Sequence, residues 1–175
     1  NCRGPNQQGA GLDDPAYYVY MHDMNQYTPD LARSLLDNCL CHNVRMASRL
    51  VSRAYDDALR PSGLRATQVA VLAAVGGAEG ALSIKALADT LETERTGLTR
   101  NLRPLEQQGY ISISPEGRHR SRTVALTKTG KLALLKALPL WEKAQQTLMQ
   151  QLGAQRWPMV RTTYAELRKV QSASS

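Results

Sequence analysis

The stretch RTGLTRNLRPLEQQGYI, residues 95–111, decides how the chain is read. Leu98, Leu102 and Leu105 recur at three- and four-residue spacing, which places them on one face of a helix. Thr96, Arg100, Arg103 and Gln107 fall on the opposite face, with Thr99 on the flank and Arg95 in the first turn. Gly109 is a helix terminator, and YISIS, residues 110–114, alternates as a short strand. An amphipathic helix with a cationic outer face therefore runs straight into a strand. Pro104 removes the amide that would bond to the carbonyl of Arg100. The spacing predicts a bend there that leaves the N-terminal turns intact.

Working outward, SIKALADTL precedes this helix. Ser83 is a good N-cap, and Ile84, Leu87, Ala88 and Leu91 form an apolar side; Thr93 is the expected N-cap of the arginine-bearing helix. After the strand comes PEGRHRSR, an arginine-rich turn, and TVAL, residues 123–126, a returning strand. Two short helices about a tight turn followed by a two-stranded hairpin predict a winged helix-turn-helix. The second helix of such a unit enters the major groove, about 12 Å wide. There Arg can bond guanine O6 and N7 together, and Thr can meet a thymine methyl or a phosphate. Arg95, Thr96, Thr99, Arg100 and Arg103 are the candidate DNA-reading residues. In the hairpin, Arg118, Arg120 and Arg122, with His119, suit the minor groove, where arginine responds to width and negative potential.

Flanking segments are helical. Across 31–60 the residues Leu36, Leu40, Val44, Ala47, Val51, Ala54 and Ala58 lie within about 40° of one line on a helical wheel. Arg45, Arg49, Arg53 and Asp56 lie opposite, and Arg60-Pro61-Ser62-Gly63 ends this single expected helix. A further helix covers 66–75, closed by Gly76-Gly77. Thr127 caps a long helix over 128–152, with Pro139 as an expected kink; Gly153 breaks the chain before a last helix. The fold class is thus mainly α with a small β-hairpin wing: a winged helix-turn-helix, 61–127, plus a helical dimerisation region, 31–60 and 128–171. Residues 1–30 read as an N-terminal arm, and Met21 and Met24 as candidate initiators, which would leave the preceding residues outside the natural protein.

Composition agrees. The 175 residues are 42% hydrophobic, enough for a core, and lack Phe, so Leu, Ala and Val must fill it. The formal net charge of +7 points to a polyanionic partner. The charge is unevenly spread: residues 93–122 hold six Arg against three Glu, and residues 1–34 hold two Arg against four Asp. No apolar run approaches the ~18–20 residues of a membrane span, and three cysteines without framework spacing imply a reducing cytoplasm.

The segment LSIKALADTLETERTGLTRNLRPLEQQGYISI, with GRHRSRTVALTKTG after it, resembles the DNA-binding core of the MarR family of bacterial winged-helix transcription regulators. The shared order is an "LA" helix, a "TR" recognition helix, "LE…G", an arginine wing and "LT..G". With the flanking helices the resemblance spans about 35–170. It implies a homodimer with interlocked first and last helices, set on a pseudo-palindromic operator. It also implies a repressor released by a small aromatic ligand in the cleft between dimerisation helices and winged domain, or by cysteine oxidation. Thr99 and Arg100 match the family's "TR", and residues 118–122 match its wing. Family wings place an Asp just before the arginine; here the nearest acid is Glu116, so the entering arginine is left open.

Other chemistries find little support. Lys128-Thr129-Gly130 matches a triad of penicillin-recognising enzymes, yet Ser-x-x-Lys and Ser-Asp-Asn are missing. There is no Gly-x-Ser-x-Gly, His-Glu-x-x-His or phosphate-binding glycine loop, so neither an enzyme nor a cofactor is expected. A winged helix that only contacts proteins is the alternative; it would not need so many arginines. In CLCH, residues 39–42, a continuous helix would point Cys39 and Cys41 about 200° apart. They could then neither chelate one metal ion nor form an intrahelical disulfide. Cys39 shares an apolar flank with Met46 and Leu50, so Cys39 and Cys41 are candidate redox residues at a subunit seam.

Overall fold

The computed structural model describes residues 28–115, 122–153 and 155–172. The chain divides into two compact units, between residues 48 and 49.

In the first unit, Thr28 opens helix α1, Pro29–Asn38, by accepting the amide of Leu31 at 3.1 Å, with Pro29 already fixed for the first turn. The helix stops at Cys39, whose backbone is extended (φ −73°, ψ 109°). The single helix expected over 31–60 is therefore two, and the asparagines explain the break. The Asn38 amide donates to Ser34 O at 2.9 Å, and the Asn43 amide donates to Asp37 O at 2.9 Å and Cys39 O at 3.0 Å. These side chains serve carbonyls that a continuing helix would otherwise satisfy. Cys39 Sγ then accepts from the amide of His42 at 3.4 Å as helix α2, Leu40–Leu59, begins.

In the second unit, α2 closes in a 3₁₀ turn, Arg60–Ser62, and Gly63 takes a left-handed φ of +76°. Asp56, which periodicity places opposite the apolar stripe, accepts the amide of Ala66 at 2.8 Å and so caps helix α3, Ala66–Gly76. Strand β1, Leu82–Ser83, leads into helix α4, Ile84–Thr90, which Ser83 caps through the amide of Ala86 at 3.1 Å. Helix α5, Arg95–Gln107, and strands β2, Ile111–Ile113, and β3, Thr123–Leu126, follow. Helices α6, Lys128–Leu152, and α7, Arg156–Ser172, complete the unit. Helix α6 continues through Pro139.

The sheet is three-stranded, in the order β1-β3-β2 and antiparallel throughout, where the sequence predicted two strands. Leu82 pairs with Val124 and Ser83 with Thr123. Two residues are too few to show alternation, so β1 carries no periodic signal. Ile113 pairs with Val124 from the other side and Ile111 with Leu126. Beneath the sheet lies one apolar core, in which Leu59, Leu64, Leu72, Leu87, Leu98, Leu102, Leu105 and Val124 are fully buried. Among the described residues no polar side chain is buried with them.

The joint between α5 and α6 is tied by backbone. Gly109 takes φ +70°, and the amide of Tyr110 reaches back to Leu105 O at 2.9 Å, the glycine-closed helix end that the sequence predicted. The Thr127 hydroxyl donates to Gly109 O at 2.7 Å and accepts from Gly130 N at 2.9 Å, while the Thr127 amide donates to Tyr110 O at 3.1 Å. A Cβ on Gly130 would lie 1.9 Å from Tyr110 O. Gly130→Ala should therefore destabilise the fold by ~2–3 kcal/mol, the scale of overpacking a closed site. Chemical denaturation measures it, with Gly109→Ala as a control whose cost comes from strained backbone instead.

Candidate nucleic-acid interface

Helix α5 separates its two faces sharply. Leu98, Leu102 and Leu105 are 0%, 1% and 0% exposed, packed on the core, while Arg95, Thr96, Thr99, Arg100 and Arg103 are all exposed. Burying the leucines holds the helix; each should contribute about 2–5 kcal/mol relative to Ala. The polar residues on the outer face contribute little to that packing, so what they present to solvent is open to another use. The Thr99 hydroxyl donates to Arg95 O at 2.8 Å, which leaves its methyl and its oxygen lone pairs for a ligand. Helix α5 continues through Pro104 to Gln107, and the lost amide falls just beyond Arg103.

The N-terminus of α5 differs from expectation. Glu94, not Thr93, is the N-cap, and no side chain bonds the first-turn amides. Thr93 is drawn into the turn between α4 and α5, where its amide donates to Ala88 O at 3.1 Å. That turn depends on Glu92, which takes a left-handed φ of +49°. No periodicity marks such a residue, and a Glu is an unusual choice for it.

In the wing, Arg122 is exposed at the base of β3, its Nε donating to Ser114 O at 3.3 Å and its carbonyl accepting from Ile84 N at 3.0 Å. Ser114 Oγ accepts from Thr123 N at 2.9 Å, closing the same end of the sheet. Arg118, His119 and Arg120 lie outside the described residues.

Cys39 and Cys41 are both free thiols and both exposed. With Cys39 extended rather than helical, the divergence inferred from a continuous helix no longer applies to the pair. Among the described residues no group of three His, Cys, Asp or Glu side chains could hold a metal ion. None of the described helices is long and apolar enough to cross a membrane.

A polar cluster that periodicity did not reveal joins α2 to α6. The Tyr55 hydroxyl bonds Gln145 Oε1, and its ring stacks on Trp141 with centroids 6.5 Å apart and planes at 25°.

Two helices about a tight turn, a third helix behind them and a three-stranded wing define the winged-helix class of nucleic-acid-binding domains. The sequence profile of the MarR family matches residues 62–121. The solved structure of the Mycobacterium tuberculosis transcriptional regulator MosR is 37% identical, covers 79% of this chain and 98% of its own, and superposes with a TM-score of 0.69. MosR in complex with DNA gives 36% identity, coverage of 79% and 99%, and a TM-score of 0.70. CouR from Rhodococcus jostii, bound to p-coumaroyl-CoA, shares the fold at 18% identity, with coverage of 75% and 93% and a TM-score of 0.64. No curated protein matches the chain. The extent and identity of the match to MosR place this chain in the MarR family of transcription regulators.

Burial raises the pKa of Tyr55 above its ordinary 10.0. The unfolded chain then loses this proton first, so folding stability should be complete below pH 10 and fall as pH rises through the folded pKa. Denaturation midpoints between pH 9 and 11, compared with Tyr55→Phe, measure the effect; the variant should lack that part of the alkaline loss.

Proposed function

We propose that the chain is a sequence-specific DNA-binding transcription regulator, a homodimeric repressor that sits on a pseudo-palindromic operator. One observation carries the reading: α5 buries its leucines completely and presents Arg95, Thr96, Thr99, Arg100 and Arg103 to solvent. Arg100 reads a base edge near the middle of the helix, and Thr96 and Thr99 contact methyl groups or phosphates. The wing arginines Arg118, Arg120 and Arg122 act at the minor groove or the backbone. The net charge of +7 supports a polyanionic partner, and MosR, the 36%-identical relative, has been solved with DNA. The protein is a regulator without catalytic activity or cofactor, and it acts in the cytoplasm.

Dimerisation is supported by exposed apolar residues in each unit. Leu35, Leu36, Leu40 and Val44 are exposed in the first, and Leu132, Leu135, Met159, Val160, Tyr164 and Leu167 in the second. Faces of this kind on four helices fit a twofold seam built from 31–60 and 128–171. The winged domain, 61–127, then presents one α5 to each half-site.

The signal that releases DNA is a small aromatic ligand in the cleft between these regions, or oxidation of Cys39 or Cys41. The exposure of both thiols supports the second route. Operator affinity before and after mild peroxide, in wild type and in Cys39→Ser and Cys41→Ser, decides between them. Oxidation should weaken the wild type and spare the variant that lacks the sensing thiol. Equal wild-type affinity before and after leaves the ligand as the signal.

DNA recognition is tested on a duplex selected from a random pool. Arg100→Ala should cost about 1–3 kcal/mol and relax preference at one position. Arg120→Ala should weaken all sequences alike and lower the salt slope by about one. Wild-type affinity in both variants would refute the assignment.

A further inference from the structure

We propose that the ion pair between Glu92 and Arg168 positions the DNA-reading helix, acting through the turn that feeds it and without touching DNA. The inference rests on the DNA-binding reading of α5.

Glu92 stands three residues before α5, at the one left-handed non-glycine position among the described residues. Gly or Asn would adopt that backbone with less strain, so the carboxylate is what a Glu adds there. Its Oε1 lies 2.7 Å from Nη2 of Arg168, on α7. By contrast, the ion pairs Arg33–Asp30 and Arg60–Asp57 are local contacts within one helical turn or its continuation. Arg168 is itself steadied by Tyr164, one helical turn earlier, with the guanidinium carbon 6.0 Å from the ring centroid. A helix of the uncovered apolar region is thus connected to the turn that starts the reading helix.

The pair is partly exposed, at 57% for Arg168 and 39% for Glu92, so solvent screens it and it should add little to global stability. Its leverage is geometric. Arg103 lies about 12 Å along the axis from Arg95, so a tilt of about 10° moves one end by roughly 2 Å relative to the other. That displacement breaks a hydrogen bond to a base edge. The far end of α5 is already fixed to α6 through Thr127 and Gly130, which leaves the Glu92 turn as the end free to be set. Helices α6 and α7 meet at Gly153, with φ +83°. A change in their mutual angle therefore reaches α5 through Arg168.

The sign of one substitution separates this role from simple electrostatics. Removing a carboxylate from a DNA-binding protein ordinarily strengthens binding to a polyanion. Here Glu92→Gln should instead weaken binding to the selected duplex by about threefold to tenfold. Arg168→Ala should do the same, and the double variant should bind no worse than either alone. Arg168→Glu with Glu92→Lys should recover most of the affinity. Glu92→Asn, better suited to the left-handed backbone, should keep or raise the melting temperature while losing affinity, which a purely structural role would not do. Without DNA, amide exchange over 91–98 should quicken in Glu92→Gln and Arg168→Ala alike. Equal or tighter binding by Glu92→Gln overturns the inference. So do additive losses, which would make Arg168 a direct DNA contact. If the wild type selects no duplex, the DNA-binding reading falls, and unchanged exchange in the two variants overturns the positioning role independently.

Discussion

The fold depends on keeping water from one face of α5. Leu98, Leu102 and Leu105 share one buried apolar cluster with Leu72, Leu87 and Val124 from three other elements. Once they are buried, the helix has no rotational choice, and its arginines must face outward. Recognition thus follows from packing: a one-residue slip would turn the helix by about 100° and put Arg103 and Glu106 where Leu102 and Leu105 are buried, at a cost in buried charge that no contact here offsets. With no polar side chain buried among the described residues, apolar packing sets that rotation from within the core.

What was legible in the sequence follows the same logic. Leucine spacing marked α5 within a residue of its observed ends, and Ser83, Gly109, Thr127 and Gly153 marked real boundaries because each supplies a cap or a left-handed turn. These signals are local, and local signals survive without a structure. Features set by contact across the chain did not show. Strand β1 exists only because β3 offers it a free edge. Asp56 becomes a cap only when α3 begins beside it, and Gly130 is demanded by a carbonyl twenty residues earlier in the chain.

The break at Cys39 shows the limit of periodicity in another way. Leu36 and Leu40 keep helical spacing, so the apolar pattern passes through the interruption unchanged. The competing information lay in Asn38 and Asn43, whose amides can replace backbone donors. Hydrophobic spacing reports which face is apolar; side-chain hydrogen bonding decides whether the helix beneath it is continuous. The consequence is chemical as well as geometric, because it moves one thiol of the pair out of regular structure and leaves both exposed.

The two ends of α5 are held by forces of different character. At the Tyr110–Gly130 joint, backbone meets backbone in closed packing, which dissolved ions barely perturb. At Glu92 the attachment is a partly exposed charge pair, which weakens as the Debye length shrinks from about 10 Å at 0.1 M salt toward 3 Å at 1 M. Ionic strength then acts twice on DNA affinity, once by competing for phosphates and once by loosening one mooring of the helix. A plot of log affinity against log salt would therefore be steeper than the number of phosphate contacts warrants. Counting contacts from that slope alone would overstate how many cations the protein lays on the duplex.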